Sequence, residues 1–390
     1  MRVVVVAGPD PGHAFPAIAL CKLFAAAGHA PTLLTGVQWL DTARAAGVDA
    51  AELLGLDATA ADDDADDGAK LHQRAARMAW QNRDQLRTLA PDLVVSDVIT
   101  ACGGMAAELL GIPWVELSPH PLYLPSKGLP PIGSGLAPGT GVRGRLRDAV
   151  MRSLTARSVR GGLRQRAEAR VGIGLPDRDP GPLRRLIATL PALEVPRPDW
   201  PAEAVVVGPL HFEPTEQLLT VPAGSGPLVV VAPSTASTGA AGLAELALEH
   251  LVPGAALPVG ARVAVSRLGG PALTLPPWAV AGLGRQDELL THADLVVCGG
   301  GHGMVAKTLL SGVPLVVVPG GGDQWEIANR VVRQGSGRLI RPLTGAALAE
   351  AVGDVLASPS YRDAARRAAD GATDVADPVR VCQEALSGAG

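Results

Sequence analysis

"DLVVCGGGHGMVAKTLLSGVPLVVVPGGGDQWEIANRV" (residues 294–331) repeats one grammar twice. A short β-branched run ends in glycines, and a helical apolar pattern starts at once. "DLVVC" leads into Gly299-Gly300-Gly301-His302-Gly303 and a helix over 303–311. "PLVVVP" leads into three more glycines, then Asp323-Gln324 and a helix over 324–334. Fully apolar strands separated by helices predict a parallel sheet covered on both faces.

The same grammar runs outward in both directions. "MRVVVVAGPDPGHAFPAIAL" (1–20) is a strand, a glycine turn and a helix over 14–27 ending at Gly28. "PTLLTG", "PDLVVSD" and "GIPWVEL" are further strands, with the helix "ACGGMAAELLG" between the last two. The pattern restarts with "PLVVVAPST" at 227. A Pro- and Gly-rich stretch over 208–226 separates the two halves and reads as a linker. The predicted fold class is α/β, with two doubly wound units: residues 1–207 and 227–390.

Two stretches interrupt the pattern. "DATAADDDADDG" (57–68) reads as a solvated acidic loop. Its Asp64-Ala65-Asp66 matches a D-x-D metal string but lacks the preceding strand that string requires. "SPHPLYLPSKGLPPIGSGLAPGTGVRG" (118–144) reads as a long irregular loop at a strand's carboxyl end, and loops of that length are either functional or disordered.

Composition excludes several classes. The chain has 390 residues, is 47% hydrophobic and carries a formal net charge of −4. That leaves no basic footprint for nucleic acid. Its 4 cysteines stand far apart without CxxC spacing, which argues against a metal knuckle or a disulfide framework and fits a cytoplasmic protein. Apolar runs such as "VPLVVVP" are too short to span a bilayer. No strand is followed by GxGxxG with an acidic residue some 20 positions on, which argues against a nicotinamide dehydrogenase.

Four constellations carry chemistry. His13 follows the first strand on "GPDPGH" and faces the crevice that opens above a doubly wound sheet. Either it is a general base or it packs the helix start. Asp97 ends the strand "DLVVSD" on the same edge. It either fixes the His13 tautomer or caps the next helix, and it could do both. The helix start behind His13 disfavours the imidazolium, while Asp97 stabilises it. Gly299, Gly300, Gly301, His302 and Gly303 form a phosphate cradle at a helix N-terminus, with His302 able to donate at its lip. Asp323 and Gln324 offer acceptors and donors for vicinal hydroxyls. Asp323 has an alternative role as a helix cap, whereas Gln324 has no such structural excuse.

At these residues the chain resembles the nucleotide-sugar-dependent glycosyltransferases of the GT-B fold. The resemblance rests on "GHxxP", "PDLVVSD", "GIP" and the block 284–331. It is nearest to actinobacterial enzymes that decorate natural products, in one superfamily with UDP-glucuronosyltransferases. The resemblance implies two Rossmann-like domains facing each other across a cleft, with the final helices from about 358 crossing back to the first. It implies an inverting single displacement of a hexose, without metal or other cofactor, from a UDP- or TDP-sugar to a hydroxyl of a small-molecule or lipid acceptor. His13 would be the base and Asp97 its support. The diphosphate would lie on 299–304, including Met304, near Thr235. Asp323 and Gln324 would hold the sugar, Gln286 would contribute to the donor site, and the acceptor would lie under the 118–144 loop. A homodimer is compatible with this reading.

Three departures from the family pattern stand out. The family's phosphate histidine falls at Gly299, its base-stacking tryptophan at Leu283 and a ribose-binding glutamate at Lys307. They leave the nucleotide open. Two alternatives share the fold: a sugar-nucleotide epimerase or hydrolase, and a non-catalytic partner protein. Survival of the base, its carboxylate and the Asp-Gln pair favours catalysis.

Overall fold

Alternation within the first valine run sets the layering. Val3 and Val5 of β1 (Arg2–Val6) pack with Ile18 and Phe24 on one face of the sheet. Val4 and Val6 pack with Met105 and Trp114 on the other. The structure, a computed structural model, describes residues 1–57, 67–236 and 238–388. Most of the acidic run, with Asp64 and Asp66, lies outside the described residues.

The first sheet continues with β2 (Ala30–Thr35), β3 (Asp49–Glu52), β4 (Leu93–Asp97), β5 (Trp114–Ser118), β6 (Arg185–Ile187) and β7 (Ala204–Val206). Its order is β3-β2-β1-β4-β5-β6-β7, with parallel pairing throughout. The chain moves outward from β1 in one direction and returns to continue from β4 in the other. The switch therefore falls between β1 and β4, where a crevice opens beyond the strand ends. The helices are α1 (Pro11–Ala26), α2 (Leu40–Ala45), α3 (Asp67–Leu89), α4 (Cys102–Leu110) and α5 (Gly141–Val171). Pro11 opens α1 at a position where its missing N–H is not needed. The helix therefore begins three residues before the expected start at 14, and His13 lies inside its first turn.

The second sheet comprises β8 (Leu228–Ala232), β9 (Arg262–Ser266), β10 (Ala279–Gly282), β11 (Leu295–Cys298), β12 (Leu315–Val317) and β13 (Gly337–Leu339). Its order, β10-β9-β8-β11-β12-β13, repeats the design and puts the switch between β8 and β11. Helices α6 (Leu243–His250), α7 (Gln286–Thr291), α8 (His302–Leu310), α9 (Gln324–Gln334), α10 (Gly345–Ala357) and α11 (Pro359–Asp370) belong with it. Ala365 and Ala368 of α11 lie in its core. The last helix, α12 (Pro378–Ser387), packs instead on the first sheet's core, with Val379, Val381, Cys382 and Ala385 beside residues of α1. The return therefore begins after α11, and not at about 358.

The chain passes between the two units twice, at one place. Ala376, ahead of α12, donates its backbone N–H to Val206 at 3.2 Å. Gly208, where the linker starts, lies against Val375. Among the described residues no helix is long and apolar enough to cross a membrane.

The 119–140 loop leaves β5 and reaches across to α9. Gly135 donates its N–H to Glu326 at 3.0 Å and accepts from Arg333 at 2.8 Å, and the Trp325 indole donates to the Ser134 carbonyl at 3.3 Å. Gly135 has φ +69°, and a Cβ there would collide with the Trp325 indole nitrogen, so glycine is required.

Candidate active site

The crevice of the first sheet holds an imidazole against a carboxylate. His13 Nδ1 lies 2.7 Å from Asp97 Oδ2. A carboxylate oxygen accepts here, so Nδ1 carries the hydrogen and in the neutral ring the Nε2 lone pair is free. Asp97 is fixed from the other side: Oδ1 accepts from the Ile99 and Thr100 amides, at 3.1 and 3.2 Å, and from the Thr100 hydroxyl. Thr100 Oγ1 also receives the Gly8 amide at 2.8 Å, which ties the β1 turn to the end of β4. Asp97 thus caps its own turn and orients the histidine at once. Burial works against a charged His13 ring, but the nearby carboxylates, Asp97 foremost and then Asp10 and Asp323, together outweigh it, and the His13 pKa is raised.

A second histidine stands beside it. The His120 ring meets that of His13 edge-on at 6.4 Å. Its Nδ1 donates to the Pro121 carbonyl at 2.8 Å, and burial lowers its pKa, so it is neutral with Nε2 as an acceptor. His120 stacks on Tyr123 at 4.4 Å, and the Tyr123 hydroxyl donates to Asp323 Oδ2 at 3.3 Å. Ring contacts through His13, His120 and Tyr123 thus connect Asp97 of the first unit to Asp323 of the second. From sequence alone Tyr123, like Trp39, Trp80 and Trp114, reads as either pocket lining or core, with core the commoner role, and His120 carries no signal beyond its place on the long loop.

In the second sheet the glycines follow β11 at the β8/β11 switch. Beyond an added Cβ at Gly301 or Gly303 lies open space, so the amides at the start of α8 are approachable. Gly299 differs. A Cβ there would stand 2.8 Å from that of Ser234 and 2.9 Å from the Ser234 nitrogen. The loop after β8 packs where a side chain would project, so the position has no room for the family's histidine. Thr235 is exposed at the same edge, and Met304 lies partly buried in the first turn of α8.

His302 departs from its expected place at the lip. Its side chain is buried, with Nε2 2.8 Å from Thr189 Oγ1 of the first unit and a hydrogen bond to the Pro119 backbone. Burial lowers its pKa to about 3, so the ring is neutral. It joins the two units in this arrangement instead of presenting a donor to a phosphate.

The Asp323-Gln324 pair divides its roles contrary to expectation. Gln324 is 3% exposed, accepts the Gly320 amide at 2.9 Å and donates to Ser234 Oγ at 2.9 Å. Its amide therefore holds the glycine turn to the β8 loop. Asp323 makes no side-chain cap to α9 among the described residues, and its carboxylate faces Tyr123.

At the other end of the edge, Gln286 is also engaged. Its Oε1 accepts from Lys307 Nζ at 3.1 Å and its Nε2 donates to Ser266 at 3.1 Å. Lys307 forms a 2.5 Å pair with Glu213 from the linker, and Glu213 also accepts the Gln286 amide at 3.0 Å. The departure at Lys307 thus comes with a compensating carboxylate that sequence spacing could not identify. Leu283, at the base-stacking position, is half exposed.

Residues 283–387 match the family model described as Erythromycin biosynthesis protein CIII-like, C-terminal domain. The chain is 32% identical over 305 residues to 4'-demethylrebeccamycin synthase of Lentzea aerocolonigenes, which covers 73% of this chain and 71% of the relative. It superposes on the glycotransferase of kitacinnamycin with a TM-score of 0.76, at 21% identity, over 99% of each chain. The spinosyn rhamnosyltransferase SpnG complexed with spinosyn aglycone gives a TM-score of 0.71, at 19% identity, over 98% of this chain and 99% of that one. Two parallel sheets, a histidine–carboxylate pair at one switch point, a run of glycines at the other and a relative of this identity over most of both chains agree: the chain belongs to the natural-product glycosyltransferases of the GT-B fold.

Proposed function

We propose that the enzyme is an inverting hexosyltransferase that uses a UDP- or TDP-sugar and glycosylates a hydroxyl of an apolar small molecule. The His13–Asp97 pair carries the reading, because it leaves a lone pair on Nε2 at the crevice opposite the cradle. Structures of SpnG with spinosyn aglycone and with thymidine diphosphate support the two ligand classes. The acceptor occupies the 1–207 unit and the donor the 227–390 unit, on either side of the 208–226 linker.

His13 Nε2 takes the proton of the acceptor hydroxyl. The oxygen attacks the anomeric carbon from the face opposite the leaving diphosphate, so one displacement inverts the configuration. Asp97 stabilises the imidazolium as it forms. The amides around Gly301 and Gly303, at the positive end of α8, meet the charge that develops on the departing diphosphate. Asp323 accepts from a sugar hydroxyl.

The test is incubation of the purified enzyme with UDP- and TDP-hexoses and a panel of aglycones, with the product's anomeric configuration read by NMR. A product that retains the donor's configuration would rule out the single displacement.

A further inference from the structure

One lone pair and one N–H of the Gln324 side chain are already used inside the protein, to Gly320 and Ser234, and the side chain is buried. Asp323 has another neighbour. The Tyr123 hydroxyl comes from the opposite unit and donates to Asp323 Oδ2 at 3.3 Å. The ring is held for that contact, stacked on His120 at 4.4 Å with the Arg330 guanidinium 5.6 Å from its centroid. Arg330 is itself fixed, donating to the Leu193 carbonyl at 2.8 Å and to Glu326 at 3.1 Å. Burial, with Asp323 nearby, pushes the Tyr123 pKa well above its ordinary value, so the hydroxyl keeps its proton.

This geometry leaves two adjacent acceptors. Tyr123 gives its proton to Oδ2 and keeps lone pairs on its own oxygen. Among the described residues Asp323 Oδ1 takes no hydrogen bond. Two acceptors side by side match two neighbouring hydroxyls of a pyranose. We infer that Tyr123, supplied by the acceptor-side loop, is the second member of the sugar grip and a specificity-determining residue for the transferred sugar. It orients the Asp323 carboxylate and accepts a hydrogen bond from the hydroxyl next to the one that Asp323 takes. The inference rests on the reading of Asp323 as a sugar contact. It has a further consequence: the donor's sugar pocket is completed only when the 119–140 loop is seated on α9.

Calorimetric titration of the intact protein tests it without an acceptor. The probes are UDP-glucose and TDP-glucose, the matching free diphosphates, and the 3-deoxy and 4-deoxy glucose donors. Wild type should bind at least one hexose nucleotide more tightly than its diphosphate. Tyr123→Phe keeps the stacked ring and removes only the hydroxyl. It should weaken the hexose nucleotide about ten-fold, the scale of one hydrogen bond, and leave the free diphosphate within about two-fold. It should also abolish the penalty for one of the two deoxy donors while Asp323→Asn abolishes the other. Equal binding of the hexose nucleotide by Tyr123→Phe and wild type overturns the inference, as does a parallel loss for the free diphosphate. If Asp323→Asn also binds hexose nucleotide and diphosphate as wild type does, the sugar reading of Asp323 fails. A loss in Asp323→Asn with none in Tyr123→Phe removes Tyr123 alone.

Discussion

The His302 imidazole lies 2.8 Å from the Thr189 hydroxyl, and this buried contact joins the helix that follows the glycine cradle to the opposite unit. Its pKa is lowered to about 3, whereas an unfolded histidine titrates near 6.5. Between those values the unfolded chain holds the extra proton, so stability falls as pH drops through that window. Burial lowers His211, in the linker, to about 4, which adds to the same slope. Thermal melts of wild type should lose stability steadily from pH 6.5 to pH 4. His302→Asn should be less stable at pH 7 and show a shallower decline. An equally steep decline in that variant would assign the slope to other groups.

His13→Ala should lower turnover by about two to four orders of magnitude, with donor affinity nearly unchanged. A base whose pKa is raised must lose its proton before it can act, so activity should rise with pH across the neutral range. Asp97→Asn removes the charge that raises the pKa. Its maximal rate should fall, and the acid limb of its kcat/KM profile should move to lower pH. An acid limb unmoved by Asp97→Asn would mean that His13 is not the group being titrated.

Two glycines of the cradle should separate ligand binding from folding. At Gly303 a Cβ meets nothing within 4 Å, so Gly303→Val should fold and lose nucleoside diphosphate affinity. At Gly299 a Cβ would press on the Ser234 backbone, so Gly299→Ala should destabilise the fold by about 1–3 kcal/mol. Melting temperatures and titrations with UDP and TDP read both effects. Normal UDP and TDP binding by Gly303→Val would move the phosphate site elsewhere.

Gly135→Ala tests the seating of the loop. The new Cβ cannot coexist with the Trp325 indole and the Asn329 amide where they stand. The variant should release the loop from α9, and proteolysis within 119–140 should quicken. Unchanged cleavage rates would show that the loop is held by its other contacts alone.

The sequence made the frame of the molecule readable and left its cross-connections hidden. Runs such as the valines of β1 can only be buried central strands, and glycines at their ends mark the switch edges. His13 and Asp97 were legible because each follows from its own strand's end. Asp323 and Gln324 misled in an instructive way. Asp is a familiar helix cap and Gln is not, yet among the described residues Asp323 makes no side-chain cap to α9 and Gln324 is the one that holds local structure. Gln324 has a structural task because its partners, Gly320 and Ser234, are brought to it by folding. Glu213 with Lys307, and Tyr123 with Asp323, are likewise meetings of distant segments that no local spacing encodes. α5 was missed because its polar, arginine-rich sequence shows no apolar stripe of helical period.

The return of α12 to the first sheet has a mechanical consequence. A single connection would let the donor-binding unit swivel about a flexible string of residues. Here two connections leave from one spot, where Ala376 is bonded to Val206 and Val375 lies on Gly208. Two cords anchored together act as a door hinge. They resist twisting and sliding but permit one swing about the line on which they are fixed. Opening of the cleft should therefore follow a single rotational coordinate, so that Nε2 of His13 and the glycine cradle return to the same alignment at every closure.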